Sequence, residues 1–76
     1  MQSWRDRISS DPGIHHGDPC IKGTRIPVAV IVGSIAEGDT LDGVVRQYPS
    51  LTVEDVRAAL HFASDTMSRF GHVALS

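Results

Sequence analysis

Pro49 stands between two stretches of helical periodicity, and this arrangement constrains the chain more than any other feature. Upstream, Leu41, Val44, Val45 and Tyr48 recur at i, i+3, i+4 and i+7, which places them on one helix face. Thr40 is positioned as the N-cap of that helix. Pro49 cannot continue it, and a proline also pushes the preceding Tyr48 out of the α region. Downstream, Thr52 caps a second helix. Asp55 follows three residues later, a weaker form of the Ser/Thr-x-x-Glu capping box. Val53, Val56, Leu60, Ala63 and Met67 make a stripe on the second helix, widened by Ala59, so Leu60 is expected in the core. Helices over 41–48 and 53–68 are predicted. Joined by a short turn, they form a helix-turn-helix pattern, a frame whose function lies in its surface.

A chain of 76 residues makes one domain, spanning 1–76. So short a chain buries only about 60% of its unfolded surface. Its own core is expected to supply about 3–5 kcal/mol, and such folds often add a staple or a partner. Cys20 is the only cysteine, so no disulfide can form within the chain. A lone thiol fits a reducing cytoplasm, which is the expected location. The longest apolar run, Val28 to Val32, is far too short to cross a bilayer, and residues 1–11 lack the apolar stretch of a signal peptide. Self-association is the remaining way to enlarge the core.

Residues 1–7 are polar apart from Trp4 and are expected to be frayed or docked on a partner. Trp4 itself reads either as a lid on the core or as an interface anchor. Residues 8–27 carry three turn signals, Asp11-Pro12-Gly13, Gly17-Asp18-Pro19 and Lys22-Gly23, with short apolar pieces between them. Two or three very short strands are expected, at Ile8-Ser9, Pro19 to Ile21 and Thr24 to Ile26. The last two would form a hairpin through Lys22-Gly23. Pro27 suits the first position of a helix over 28–37, which Gly38 would stop. Val28, Ile31, Val32 and Ile35 form its inner face. Eight of the nine residues from Val28 to Ala36 are apolar or glycine. That exceeds what one core-facing stripe requires, so Ala29, Val30 and Gly33 are expected at a homodimer interface. The fold class is therefore mainly α: a three-helix, homeodomain-like or winged-helix-like bundle with short N-terminal strands.

The formal net charge of −2 argues weakly against a dominant nucleic-acid role. Residues 1–27 balance at +1 and residues 28–76 at −3, so the helical part is acidic. In a DNA-binding arrangement the last helix would present its N-terminal residues to base edges beside phosphates. Glu54 and Asp55 are expected to face outward there and would repel them. Arg46, Arg57 and His61 are the residues left to contact DNA. No catalytic constellation emerges. Cys20 near His15 or His16 lacks a third orienting group and reads as a small buried hydrophobe. His15 and His16 are adjacent and would point to opposite faces of a strand, so solvated loop histidines are expected ahead of a metal site with Asp18 and Cys20. The glycines of Gly17 to Thr24 lack phosphate-loop order and serve turns. No enzyme activity, cofactor or metal is expected. Arg25 reads as a charge-paired strut, with Asp18 as one possible partner, or as a contact to a partner's carboxylate or phosphate.

Two strings are specific in combination: Gly23-Thr24-Arg25-Ile26-Pro27-Val28, and Tyr48-Pro49 through Leu51-Thr52 to Glu54-Asp55-Val56. With Asp11-Pro12, Gly17-Asp18-Pro19, Ile21, Gly38 and Ala58-Ala59-Leu60, they resemble a bacterial and archaeal family of unknown function, DUF433, over Ile8 to Asp65. Cys20 and Asp18 replace commoner residues, and Gly43 occupies a helix that usually carries a better helix former. The resemblance implies the three-helix fold with short strands. It further implies an antitoxin of a type II toxin–antitoxin pair that neutralises a PIN-like ribonuclease, whose site holds a divalent metal with carboxylates. Arg5, Arg7, Arg25 or the C-terminal tail would then enter or cover that site. The alternative is a helix-turn-helix autoregulator that binds operator DNA.

Overall fold

The computed structural model describes residues 3–10 and 17–69. The chain opens with a single 3-10 turn, Trp4–Arg7, then runs through strand β1 (Ile8–Ser9), strand β2 (Cys20–Ile21) and helices α1 (Val28–Ala36), α2 (Leu41–Gln47) and α3 (Val53–Arg69). Residues 3–7 are thus folded, not frayed. Ser3 Oγ accepts the Arg5 N–H at 3.2 Å, and the Ile8 N–H closes the turn on the Arg5 carbonyl. Arg7 and Trp4 then tie this turn to α3, as described below.

The sheet pairs β1 with β2 antiparallel, with Ile8 opposite Ile21 and Ser9 opposite Cys20. The expected third strand at Thr24–Ile26 does not form. The backbone does reverse at Lys22-Gly23, where Gly23 takes a φ of 82° that a residue with a Cβ rarely adopts. The Ile21 N–H reaches the Ile26 carbonyl at 3.0 Å, but pairing ends in one isolated bridge, Cys20 to Pro27. Two local causes stop the ladder. Thr24 Oγ1 donates to the Ile21 carbonyl at 2.7 Å and accepts the Ile26 N–H at 3.1 Å, which closes the turn on itself. Pro27 then has no N–H to offer.

Pro27 sits one position earlier than expected, as the N-cap of α1, with φ −67° and ψ 144°. The first helical N–H, that of Val28, donates to the Pro19 carbonyl at 2.9 Å and so fastens α1 to the strand segment. Gly38, at φ 109°, ends the helix: its N–H reaches the Ile35 carbonyl, and the Asp39 N–H reaches that of Ser34, each at 3.0 Å. This 5→2 and 6→1 pair is a Schellman stop. Thr40 caps α2 by accepting the Gly43 N–H at 2.9 Å. An added Cβ on Gly43 would lie 3.1 Å from that same Oγ1, so the glycine makes room for the cap. Tyr48, next to Pro49, leaves the helix at φ −126° and ψ 80°.

Ile21, Val28, Ile31, Val44, Leu51, Val56 and Ala59 form the buried core, and Val32, Ile35, Leu41, Val45 and Tyr48 pack against it. The inner faces of α1 and α2 are those read from periodicity. The face of α3 is rotated. Asp55, Val56, Ala58 and Ala59 are buried on it, whereas Leu60 is only half-buried and Met67 is 59% exposed. The reason lies in the N-terminal turn. It covers the side of α3 that carries Asp55, Ala58 and Phe62, so the helix is packed from two directions and Leu60 falls on a flank.

Candidate functional site

The N-terminal turn and α3 are joined by charge at one end and by aromatic rings at the other. At the start of α3 the capping box is complete: Asp55 N–H donates to Thr52 Oγ1 at 3.1 Å, and the Thr52 N–H donates to Asp55 Oδ2 at 2.9 Å. The other carboxylate oxygen accepts Arg7 Nη1 at 3.0 Å. Asp55 is 9% exposed, so it does not face outward as expected; only its neighbour Glu54 does. One carboxylate therefore caps a helix and anchors an arginine 48 residues away. With 34% of the Arg7 side chain exposed, this charge-assisted bond contributes about 1 kcal/mol.

Two turns along α3, Trp4 stacks on His61, with ring centroids 6.1 Å apart and planes 12° from parallel. Its edge meets Phe62 at 6.3 Å and 85°. The Arg5 guanidinium lies 4.5 Å from the centre of the Trp4 ring. The indole is thus engaged within the chain by three neighbours. Arg5 Nη2 also reaches Asp65 Oδ1 at 3.4 Å, and Arg69 Nε reaches Asp65 Oδ2 at 3.0 Å. Between this cluster and β1 lies a cleft of about 480 Å³. Trp4, Ile8, Pro19 and Phe62 supply apolar lining; Ser9 and Ser10 line it with Arg5, Asp65 and Arg69.

The other residues singled out from the sequence fall in separate places. Ala29, Val30 and Gly33 lie exposed on the outer flank of α1, together with Ala36, and Val30 is 40% exposed. A shallow groove of about 440 Å³ runs there, lined by Ala29, Val30, Gly33 and Ser34 of α1 and, beyond the helix, by Glu37, Asp39 and Gln47. Arg57 and His61 are exposed on α3 and share a groove of about 370 Å³ with Arg7 and Glu54; Arg46 is exposed on α2. Arg25 is exposed just ahead of Pro27. Cys20 is buried, and its thiol points to the Asp18 carbonyl at 3.5 Å, as a structural thiol would. His15 and His16 lie outside the described residues. Among the described residues no three of His, Cys, Asp and Glu converge on a point that could hold a metal ion. No described helix is long and apolar enough to cross a membrane.

The aromatic and ionic cluster of the N-terminal turn was not legible beforehand. The signals that carry it are Ser3, a capping residue ahead of Trp4-Arg5-Asp6-Arg7, and the matching acids Asp55 and Asp65 far along the chain.

A family model described as "Protein of unknown function (DUF433)" matches residues 8–63. An uncharacterised protein of Sinorhizobium fredii (strain NBRC 101917 / NGR234), y4eO, is 36% identical over 63 residues. That match covers 83% of this chain but 28% of the relative, so the chain spans little more than a quarter of that protein's length. The crystal structure of a DUF433 member from Anabaena variabilis ATCC 29413 is similar, with a TM-score of 0.77 and 32% identity. The similarity covers 86% of this chain and 64% of that one.

Proposed function

The chain belongs to the DUF433 family of proteins of unknown function, and on that premise we propose that it acts by binding a protein partner, as an antitoxin that neutralises a PIN-like ribonuclease. The observation that carries the binding reading is the outer flank of α1. Ala29, Val30, Gly33 and Ala36 are all exposed on a helix without a single charged residue. An uncharged helix flank of this kind favours burial against protein. A symmetric contact through it makes the homodimer that so small a core calls for. The antitoxin role itself comes from the family resemblance. Of the arginines assigned to inhibition, Arg7 is held by Asp55, Arg5 shares Asp65, and Arg25 is exposed after the Lys22-Gly23 turn.

A helix-turn-helix autoregulator is the second reading, supported by the exposure of Arg46, Arg57 and His61 on α2 and α3. Against it stand Glu54, exposed at the start of α3, and the engagement of Arg7. With two to four phosphate contacts, the slope of log K against log salt would be about −2 to −4. The test co-expresses the chain with the product of the neighbouring reading frame, then measures co-purification and ribonuclease activity with and without it. Stable co-purification with lost nuclease activity is expected. A neighbour that is not a nuclease would overturn the antitoxin role, and nanomolar operator binding at physiological salt would overturn the protein-docking reading.

A further inference from the structure

We propose that the cleft between the N-terminal turn, β1 and the C-terminal half of α3 takes an extended peptide segment of a partner protein, one that carries an apolar side chain beside a carboxylate. This rests on the protein-docking reading and assigns it a second surface, distinct from the α1 flank. The shape of the cleft argues for an apolar side chain. At about 480 Å³, with Ile8, Pro19 and Phe62 in its walls, it is large enough for a leucine or phenylalanine side chain.

Charge selects the neighbour of that side chain. At the rim, Arg5 and Arg69 share one carboxylate, Asp65, at 3.4 and 3.0 Å. Two guanidiniums against one acid leave one positive charge in excess, on a chain whose net charge is −2. Both arginines are exposed, at 57% and 70% of their side chains, so their remaining donors are within reach of a second carboxylate.

The backbone argues for an extended segment. Lys22 N–H bonds to the Arg7 carbonyl, so Arg7, just ahead of β1, and Ser9 within it face β2, and the Ile8 carbonyl turns to the opposite edge, where the Ile8 N–H is already taken by the Arg5 carbonyl. Among the described residues no strand pairs along that edge. Ile8, Ser9 and Ser10 line the cleft, so the edge borders it and offers the Ile8 carbonyl as an acceptor to a passing backbone N–H. A nucleic-acid strand fits less well. His61 stacks against Trp4 and Arg5 lies against the same ring, so a base would have to displace them to stack there.

The experiment uses a phage-displayed random peptide library selected on the immobilised protein, followed by titration of the best synthetic peptide. Trp4 is the only tryptophan and lines both this cleft and the Arg57–His61 groove, so its emission reports binding at either, and Arg69, which lines the cleft alone, tells them apart. Enriched peptides should pair an aliphatic or aromatic residue with Asp or Glu, change Trp4 emission saturably, and weaken with salt. Arg69→Glu makes the rim acidic on an exposed position and should weaken the acidic peptide about five- to tenfold. Lys22→Glu, the same charge change at an exposed position outside the cleft lining, should leave the peptide titration unchanged. Enrichment without acids, an unchanged affinity in Arg69→Glu, or a stronger Trp4 response to octathymidylate than to any peptide would overturn the proposal. The outcome separates from that of the antitoxin reading. Peptide binding without a nuclease partner sinks the antitoxin role alone. A nuclease complex indifferent to Arg69→Glu, with no acidic peptides enriched, sinks the cleft alone.

Discussion

Removing the Asp55 carboxylate tests the physical account of the fold at its most connected point. In Asp55→Ala, Thr52 N–H loses its acceptor at 2.9 Å and Arg7 loses its partner at 3.0 Å. Loss of a cap interaction is worth about 0.5–2 kcal/mol. Loss of a charge-assisted bond adds about 1.5–3 kcal/mol where both groups are dry. Here Arg7 keeps 34% of its side chain exposed and can recover water, which places the ionic part at about 1 kcal/mol. The expected total is about 1.5–3 kcal/mol, set against a domain stability of about 3–5 kcal/mol. In a chain this size it should lower Tm by about 10–20 °C. Asp55→Asn retains a neutral oxygen acceptor for Thr52 and should lose only about half as much. Urea titration followed by far-UV circular dichroism gives the stabilities, and Trp4 emission shows whether the N-terminal turn detaches first. An Asp55→Ala variant within about 0.5 kcal/mol of wild type would refute the reasoning, as would the absence of coupling in an Arg7–Asp55 double-mutant cycle.

Three further outcomes follow from the packing. Leu60→Ala should cost about 1 kcal/mol by thermal melting, not the 2–5 kcal/mol of a fully buried leucine, because Leu60 is only half-buried on the flank of α3. Gly38→Ala should cost about 1–2 kcal/mol in the same assay, since φ is 109° there and no atom lies within 4 Å of an added Cβ, so the penalty is purely conformational. Wild type should sediment as a dimer over a hundredfold concentration range and Val30→Glu as a weaker dimer or monomer with a lower Tm when dilute; a monomeric wild type would remove α1 from any interface.

The helices were legible because their signals are local. Thr40, Thr52, Gly38 and Pro49 each act through bonds to residues within a few positions, and all four behave as their chemistry requires. Periodicity likewise located the inner faces of α1 and α2, which pack against one core. It failed on α3 because periodicity finds the most apolar face, and α3 is packed on a face that includes an acid. Asp55 could not be read as buried without knowing that Arg7 would arrive from 48 residues away. The missing third strand has a local cause that was visible in principle: Thr24 competes for its own backbone, and Pro27 cannot donate. Of the candidate site, the α1 flank was legible from its lack of polar residues. The cleft was not, since Trp4, Ile8, Pro19 and Phe62 are scattered through the chain and meet only after folding.

The cleft is also bound up with the stability of its own wall. The N-terminal turn is four residues long and contains no fully buried side chain. It is held to α3 by the Arg7–Asp55 pair, the Arg5–Asp65 pair and the Trp4 rings, interactions each worth about a kcal/mol or less when partly exposed. Such an element opens at lower free energy than the core it covers. Opening removes Trp4 and Arg5 from the cleft together and leaves Phe62, Asp65 and Arg69 of α3 without their opposite wall. A ligand that contacts both sides of the cleft therefore stabilises the closed turn by the logarithm of its own saturation. It follows that Arg7→Ala, which touches no part of the cleft lining, should weaken peptide binding through the population of the closed turn. The same variant should leave dimerisation through α1 unaffected. Trp4 emission titration and sedimentation on that variant separate the two; equal losses in both would mean that Arg7 acts on the whole fold and not on the turn.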